Sequence, residues 1–186
     1  MSCFILGKMS TPDITDTQLI VYARDAALFK ALSFSGDRAN DLSLVKTQEI
    51  MRGLPFNHVW GKSLRYRSSS LFAIRRHTDL SLCPVNAIEV YVAISSVLSV
   101  DLSTGYLFRP LTSAGKIINK QIANSILQSR LREYLRGAQI YDGETLHSFM
   151  AGVAITLALS GSQLTDIMEN IGWCHAPATS HYLKVA

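Results

Sequence analysis

The sequence predicts an α+β domain, mainly helical, with one small antiparallel β-sheet. Apolar residues recur at helical spacing over most of the chain. The period changes once, between residues 54 and 76, where two short β-rich runs flank a polar, basic segment. No internal repeat, low-complexity tract or linker divides the 186 residues, of which 48% are hydrophobic and 17% charged. That length and composition suit one well-packed globular domain.

Residues 1–10 show no clear periodicity and are expected as a tail without regular structure or as an edge strand. Thr11-Pro12-Asp13 is a helix-start signal, with Thr15 to Thr17 as further caps. Leu19, Val21, Tyr22, Ala26, Leu28, Phe29 and Leu32 then form a helical stripe that runs to Phe34. Ser35-Gly36-Asp37 stops this helix and can start a second, Arg38 to Val45, with Leu42 and Val45 inward. LPFNHVW and SLFAIRR read as two strands, and GKSLRYRSS between them as a basic loop. Pro84 suits the first turn of a helix reaching about Leu98. Gly105 to Pro110 reads as extended. A longer amphipathic helix is predicted over Asn119 to Leu135, burying Ile122, Ile126, Leu127, Leu131, Tyr134 and Leu135, with Gly137 as its stop. Glu144 or Thr145 caps a helix starting near His147, on which Met150, Val153, Ala154, Leu157 and Ala158 recur at helical spacing before Ser160-Gly161. Short helices over Leu164 to Ile171 and Pro177 to Leu183 complete the chain.

Several classes of function are disfavoured. The net charge of +4 is compatible with a nucleic-acid partner but is too small to specify one. Cys3, Cys83 and Cys174 are odd in number and widely spaced, which argues against a disulfide framework and for a reducing, intracellular compartment. The start, MSCFILGKMS, lacks the features of a secretory signal. No window reaches the apolar length of a membrane span. Phosphate-binding loops, dinucleotide fingerprints, zinc-protease motifs and nucleophile elbows are all missing, so no nucleotide cofactor is expected. Cys174, His175 and His181 match no common zinc spacing, and no metal is expected.

The stretch GETLHSFMAGVAITLALSGSQLTDIMENIGWCHAPATSHY, residues 143–182, holds the most specific pattern. A histidine, His147, opens an apolar helix; Gly172-Trp173 follows a second short helix; Tyr182 comes nine residues after Trp173. This order resembles the catalytic domain of tyrosine recombinases, the phage-integrase family, in which His-x-x-Arg is followed by Gly-His or Gly-Trp and then a nucleophilic tyrosine. Two further blocks extend the resemblance over roughly residues 20 to 184. ARDAALFKALSFSGDRANDLSLVK looks like the family's first block and puts Arg38 at the first catalytic arginine. VWGKSLRYRSSSLFAIRR looks like the hairpin whose turn carries a catalytic lysine, here Lys62. Each motif alone is weak, and the four in order are fairly specific. The choice of residues is also similar to integrase-like sequences of mobile elements.

The resemblance implies breakage and rejoining of double-stranded DNA through a 3′-phosphotyrosyl intermediate, in recombination or integration. It implies Tyr182 as nucleophile, Arg38 as a phosphate clamp, Lys62 as general acid, and His147 and Trp173 as supporting donors. A covalent intermediate conserves bond energy, so no cofactor is needed. Guanidinium forks suit the charge that develops on phosphoryl oxygens. The basic stretch with Lys62, Arg65, Arg67, Arg75 and Arg76 would meet the DNA backbone, with self-association on DNA and, in a eukaryote, a nuclear location. Taken singly, each residue has an ordinary reading: a solvated Arg or Lys, a boundary histidine, a core Trp or Tyr. One position departs from the pattern. Met150 stands where the family has its second arginine, and it has neither donor nor charge. A catalytically impaired descendant that only binds DNA is therefore the alternative. The expected division is a tail over 1–15 and a catalytic domain over 16–186. The family's preceding DNA-clamping domain and longer C-terminal end are not matched by any part of the sequence.

Overall fold

A computed structural model of the chain describes residues 1–49, 55–58, 70–73, 75–171 and 173. Its centre is helix α2, Asp16–Ser35, which is buried on every side between Ala23 and Leu32. A helix buried all round has no single apolar face, so Arg24, Asp25 and Lys30 lie inside with the aliphatic residues. Thr15 caps α2 with a reciprocal capping box: its hydroxyl accepts the Gln18 amide, and the Gln18 side chain accepts the Thr15 amide at 2.9 Å. Gly36 ends the helix in the left-handed conformation, φ +65°, as the Ser-Gly-Asp signal predicts.

Around α2 pack α1 (Ser2–Met9), α4 (Pro84–Val97) and α6 (His147–Leu159). Helix α1 corrects the expectation for the N-terminus. Ile5 is 1% exposed, and Phe4 lies against Gly137, so tertiary packing supports an eight-residue helix whose own periodicity is weak. Between α2 and α4 run α3 (Ala39–Leu42), a 3₁₀ turn at Thr47–Glu49, and two strands, β1 (Pro55–His58) and β2 (Ser70–Ala73). The strands pair antiparallel, Pro55 opposite Ala73 and His58 opposite Ser70. Helix α3 is shorter than predicted. The chain leaves it to pair Lys46 with Tyr106, and the Val45 carbonyl accepts the Leu107 amide at 3.0 Å.

Helix α5 spans Asn124–Gly137, starting five residues after the predicted Asn119. The preceding segment is held extended instead. Asn119 accepts the Tyr106 amide at 2.9 Å, Gln121 donates to Ser43 Oγ at 2.9 Å, and Ile122 is fully buried. Leu127, Leu131, Tyr134 and Leu135 face the core as predicted, whereas Ile126, in the first turn of the helix, is 41% exposed. Helix α7 (Leu164–Ile171) packs on α6, and a second apolar cluster joins Met150, Ala154, Ile167, Ile171 and Trp173. No helix among the described residues is long and apolar enough to cross a membrane.

At the centre, Asp25 binds α2 to α5. Its Oδ1 accepts Arg24 Nε and Nη2 at 2.9 and 2.6 Å, and its Oδ2 accepts Arg130 Nε at 2.8 Å and the Tyr134 hydroxyl at 2.6 Å. Arg24 Nη1 continues the network to the Arg109 carbonyl at 2.8 Å. Burial, reinforced by the nearby Asp25 carboxylate, pushes the Tyr134 hydroxyl far above its ordinary pKa.

Candidate functional site

The left-handed turn at Gly36 aims the chain out of the core. Space there is tight: a Cβ on Gly36 would lie 3.0 Å from Val153 Cγ1 of α6 and 3.3 Å from Ile171 of α7. The turn is thus seated against α6 and α7. It is also internally bonded, since Ser35 Oγ accepts the Asp37 amide at 3.2 Å and Asp37 Oδ1 accepts the Arg38 amide at 3.0 Å. Arg38 is the N-cap residue of α3. Its guanidinium lies 3.8 Å from Asp41, and its side chain is about one-third exposed where that of Asp41 is buried. The carboxylate steadies the guanidinium from the protein side, and the exposed part is what an incoming anion would meet.

What lies in front of Arg38 is a cleft of about 460 Å³. One wall is Asp37 to Asn40, a second is the first turn of α5, and a third is Thr145 to His147 with Met150. His147 is the first residue of α6, and Met150 follows one turn later on the same face. Arg38 and His147, 109 positions apart in the chain, thus share one small cavity with Met150. Neither Ala123 nor Leu146, the N-cap residues of α5 and α6, offers a side-chain cap, so two positive helix ends open near the same space. The cleft suits an anion held by a guanidinium and an imidazole.

Met150 has a second role. It is 3% exposed and belongs to the cluster with Trp173, so its thioether seals the floor of the cleft on the apolar core below. Trp173, 8% exposed, lies in that cluster and does not line the cleft. Arg75 and Arg76 are exposed on the segment between β2 and α4, where Arg76 pairs with Glu89 at 2.5 Å, and neither lines the cleft. Lys62, Arg65, Arg67 and Tyr182, with the predicted last helix over 177–183, lie outside the described residues.

Sequence reasoning missed the α5 wall: Asn124, Ser125 and Gln128. These polar residues are not members of the predicted apolar stripe, and nothing local distinguishes them from solvated ones. It also missed the buried hub at Asp25. Here a signal existed, because Arg24-Asp25 interrupts an apolar helix with adjacent opposite charges. A larger cavity, about 720 Å³, opens between the start of α2, the end of α4 and the 115–119 segment. It holds none of the predicted site residues, and Arg109 on its wall already donates to three backbone carbonyls. The smaller cleft is the better candidate on chemistry.

No family profile and no curated protein sequence matches the chain. Solved structures do. The crystal structure of XerA recombinase aligns with a TM-score of 0.66 at 16% identity, over 97% of this chain and 55% of that one. XerH site-specific recombinase bound to palindromic difH substrate, a post-cleavage complex, aligns with a TM-score of 0.65 at 16% identity, over 97% and 47%. XerH in its pre-cleavage complex with difH gives 0.63 at 14% identity, over 97% and 47%. The chain spans about half the length of these recombinases. At such identities the likeness is one of fold, and the fold is that of the site-specific recombinases.

Proposed function

We propose that this domain binds double-stranded DNA with a backbone phosphate in the Arg38–His147 cleft, and that it is a recombinase-type domain whose strand cleavage is impaired at Met150. The observation that carries the reading is the meeting of Arg38, His147 and Met150 in one cavity of a chain folded like XerA and XerH. In this reading Arg38 holds two non-bridging oxygens through its planar fork, and His147 donates a further hydrogen bond. The Tyr182 hydroxyl loses its proton to water as its oxygen attacks phosphorus, the P–O bond to the 5′ oxygen breaks, and Lys62 gives that oxygen a proton. Reversal of these steps rejoins the strand, so the bond energy is kept and no ATP is consumed. Trp173 acts chiefly by packing beneath Met150. Lys62, Arg65, Arg67, Arg75 and Arg76 contribute phosphate contacts along the duplex, which makes binding strongly salt-dependent. Integration of a mobile element and assembly of several copies on DNA, within a DNA-containing compartment, are the biological setting this chemistry fits.

Met150 separates the two readings of the lineage. Losing one preorganised donor to a developing oxyanion costs about 10²–10³ in rate, and a guanidinium supplies two. Burial of Met150 in an apolar cluster favours the impaired reading, because that environment is built for a thioether. Relaxation of supercoiled plasmid, without metal or ATP, distinguishes them without knowledge of a target site. The chain itself should bind plasmid in low salt without relaxing it. Met150→Arg should relax it, and adding Tyr182→Phe should abolish that gain. Relaxation by the unaltered chain would show that Met150 is tolerated, and absence of DNA binding at low salt would refute the proposal.

A further inference from the structure

The α5 wall of the cleft contains one side chain whose bonds reach across to the opposite wall. Gln128 Oε1 accepts the Leu146 amide at 2.8 Å, and its Nε2 donates to the Glu144 carbonyl at 3.2 Å. Both partners lie on the segment that leads directly into His147. Leu146 is the N-cap residue of α6, and its own apolar side chain cannot cap that helix end. Local bonds also hold this turn: Thr145 donates its amide to Ser148 Oγ at 3.0 Å, and Ser148 donates its amide to the Thr145 carbonyl at 3.0 Å. Those bonds shape the turn but do not anchor it to the rest of the domain. The side chain of Leu146 also packs against the main apolar core, and Phe149 stacks on Phe29 of α2 with ring centroids 5.7 Å apart. Gln128 therefore supplies a direct side-chain tie between the α5 wall and the residues immediately before the imidazole.

We propose that Gln128 is a positioning residue of the cleft: its amide grips residues 144–146 by one donor and one acceptor, and so sets His147 opposite Arg38. This rests on the reading of the cleft as a phosphate site, but the geometry of His147 can be tested apart from it. A primary amide is well suited to the role, since it offers a donor and an acceptor from one planar group. The carboxylate introduced by Gln128→Glu could still accept from the Leu146 amide but could not donate to the Glu144 carbonyl. The thioether introduced by Gln128→Met could do neither. The effects of the two substitutions on the His147 ring should grade accordingly.

The test uses the full chain with Gln128→Met and Gln128→Glu. Imidazole ¹⁵N–¹H spectra of His147, assigned by their loss in His147→Gln, report ring environment and titration. Binding of a short fluorescein-labelled duplex in low salt reports function. Gln128→Met should move the His147 ring signals and weaken duplex binding about tenfold, the scale of one hydrogen bond to a charged group. Gln128→Glu should shift the His147 signals less than Gln128→Met does, whereas its carboxylate, lining the cleft, should weaken duplex binding further by repelling the phosphate. Unchanged His147 signals in folded Gln128→Met would overturn the inference. If that variant does not fold, Gln128→Glu decides the matter in its place, because its His147 signals must still shift. A parent chain that binds no duplex, with His147 still moving on substitution, would refute the phosphate reading and leave the positioning role standing.

Discussion

Replacing Asp25 with asparagine should destabilise the domain severely while barely changing its shape. The Asp25 side chain is fully buried and takes four hydrogen bonds, three from arginine nitrogens and one from the Tyr134 hydroxyl. An asparagine presents a donor where one of those oxygens accepts, and removes the negative charge altogether. Arg130 retains Glu133, at 2.8 Å on a half-exposed side chain, as a counter-ion. Arg24, 4% exposed, retains neutral acceptors such as the Arg109 carbonyl but no carboxylate among the described residues. An arginine left buried without its carboxylate costs about 3–5 kcal/mol. A domain is stable by about 5–15 kcal/mol, so roughly a fifth or more of the total would go. For a chain of this size the loss corresponds to a fall in Tm of roughly 6–20 °C. Urea unfolding followed by circular dichroism measures it, with Arg24→Met/Asp25→Leu as the comparison, because removing both charges should cost much less than removing one. A loss under about 1 kcal/mol for Asp25→Asn would show that this carboxylate does not hold α2 to α5.

Two other perturbations have outcomes that follow from the packing. A Cβ at Gly137 would lie 2.3 Å from Phe4 Cζ, the tip of a half-buried side chain. In Gly137→Ala that ring must turn aside, and the roughly 1 kcal/mol that alanine gains in helix propensity should be largely cancelled. Combining it with Phe4→Ala should relieve the clash, and a thermal-denaturation cycle over the four proteins reads that coupling. Alkaline pH should unfold the domain through Tyr91 and Tyr134, both of whose hydroxyls burial pushes above their ordinary value. Below about pH 10 both states keep these protons; above it the unfolded chain loses them first, so stability falls by up to about 1.4 kcal/mol per pH unit for each tyrosine. Lys30, pushed down by burial, acts in the opposite sense but only below its ordinary value of 10.5. Tyr134→Phe should therefore flatten the decline measured by urea titration between about pH 9 and 11, an interval set by the ordinary tyrosine value of about 10.

The sequence by itself determined what short-range physics controls. The Thr15 cap, the Gly36 stop, Pro84 at the head of α4, and the extents of α2, α4 and α7 all follow from capping, backbone freedom and apolar period, which act within a turn or two of helix. The order of Arg38, His147, Met150 and Trp173 was also legible, as a pattern whose meaning came from resemblance. Tertiary structure decided the rest. Helix α1 exists because α2 and α5 offer it a surface, and α5 starts late because Tyr106 and Ser43 hold the preceding residues extended. Ile126, in the first turn of α5, is exposed although Leu127, Leu131, Tyr134 and Leu135 keep the predicted inward face. Asp25, Gln128 and the Arg38–His147 cleft bring together residues 16 to 109 positions apart. No local period encodes such partners, because only the packing of α2, α5 and α6 brings their polar groups within hydrogen-bonding range.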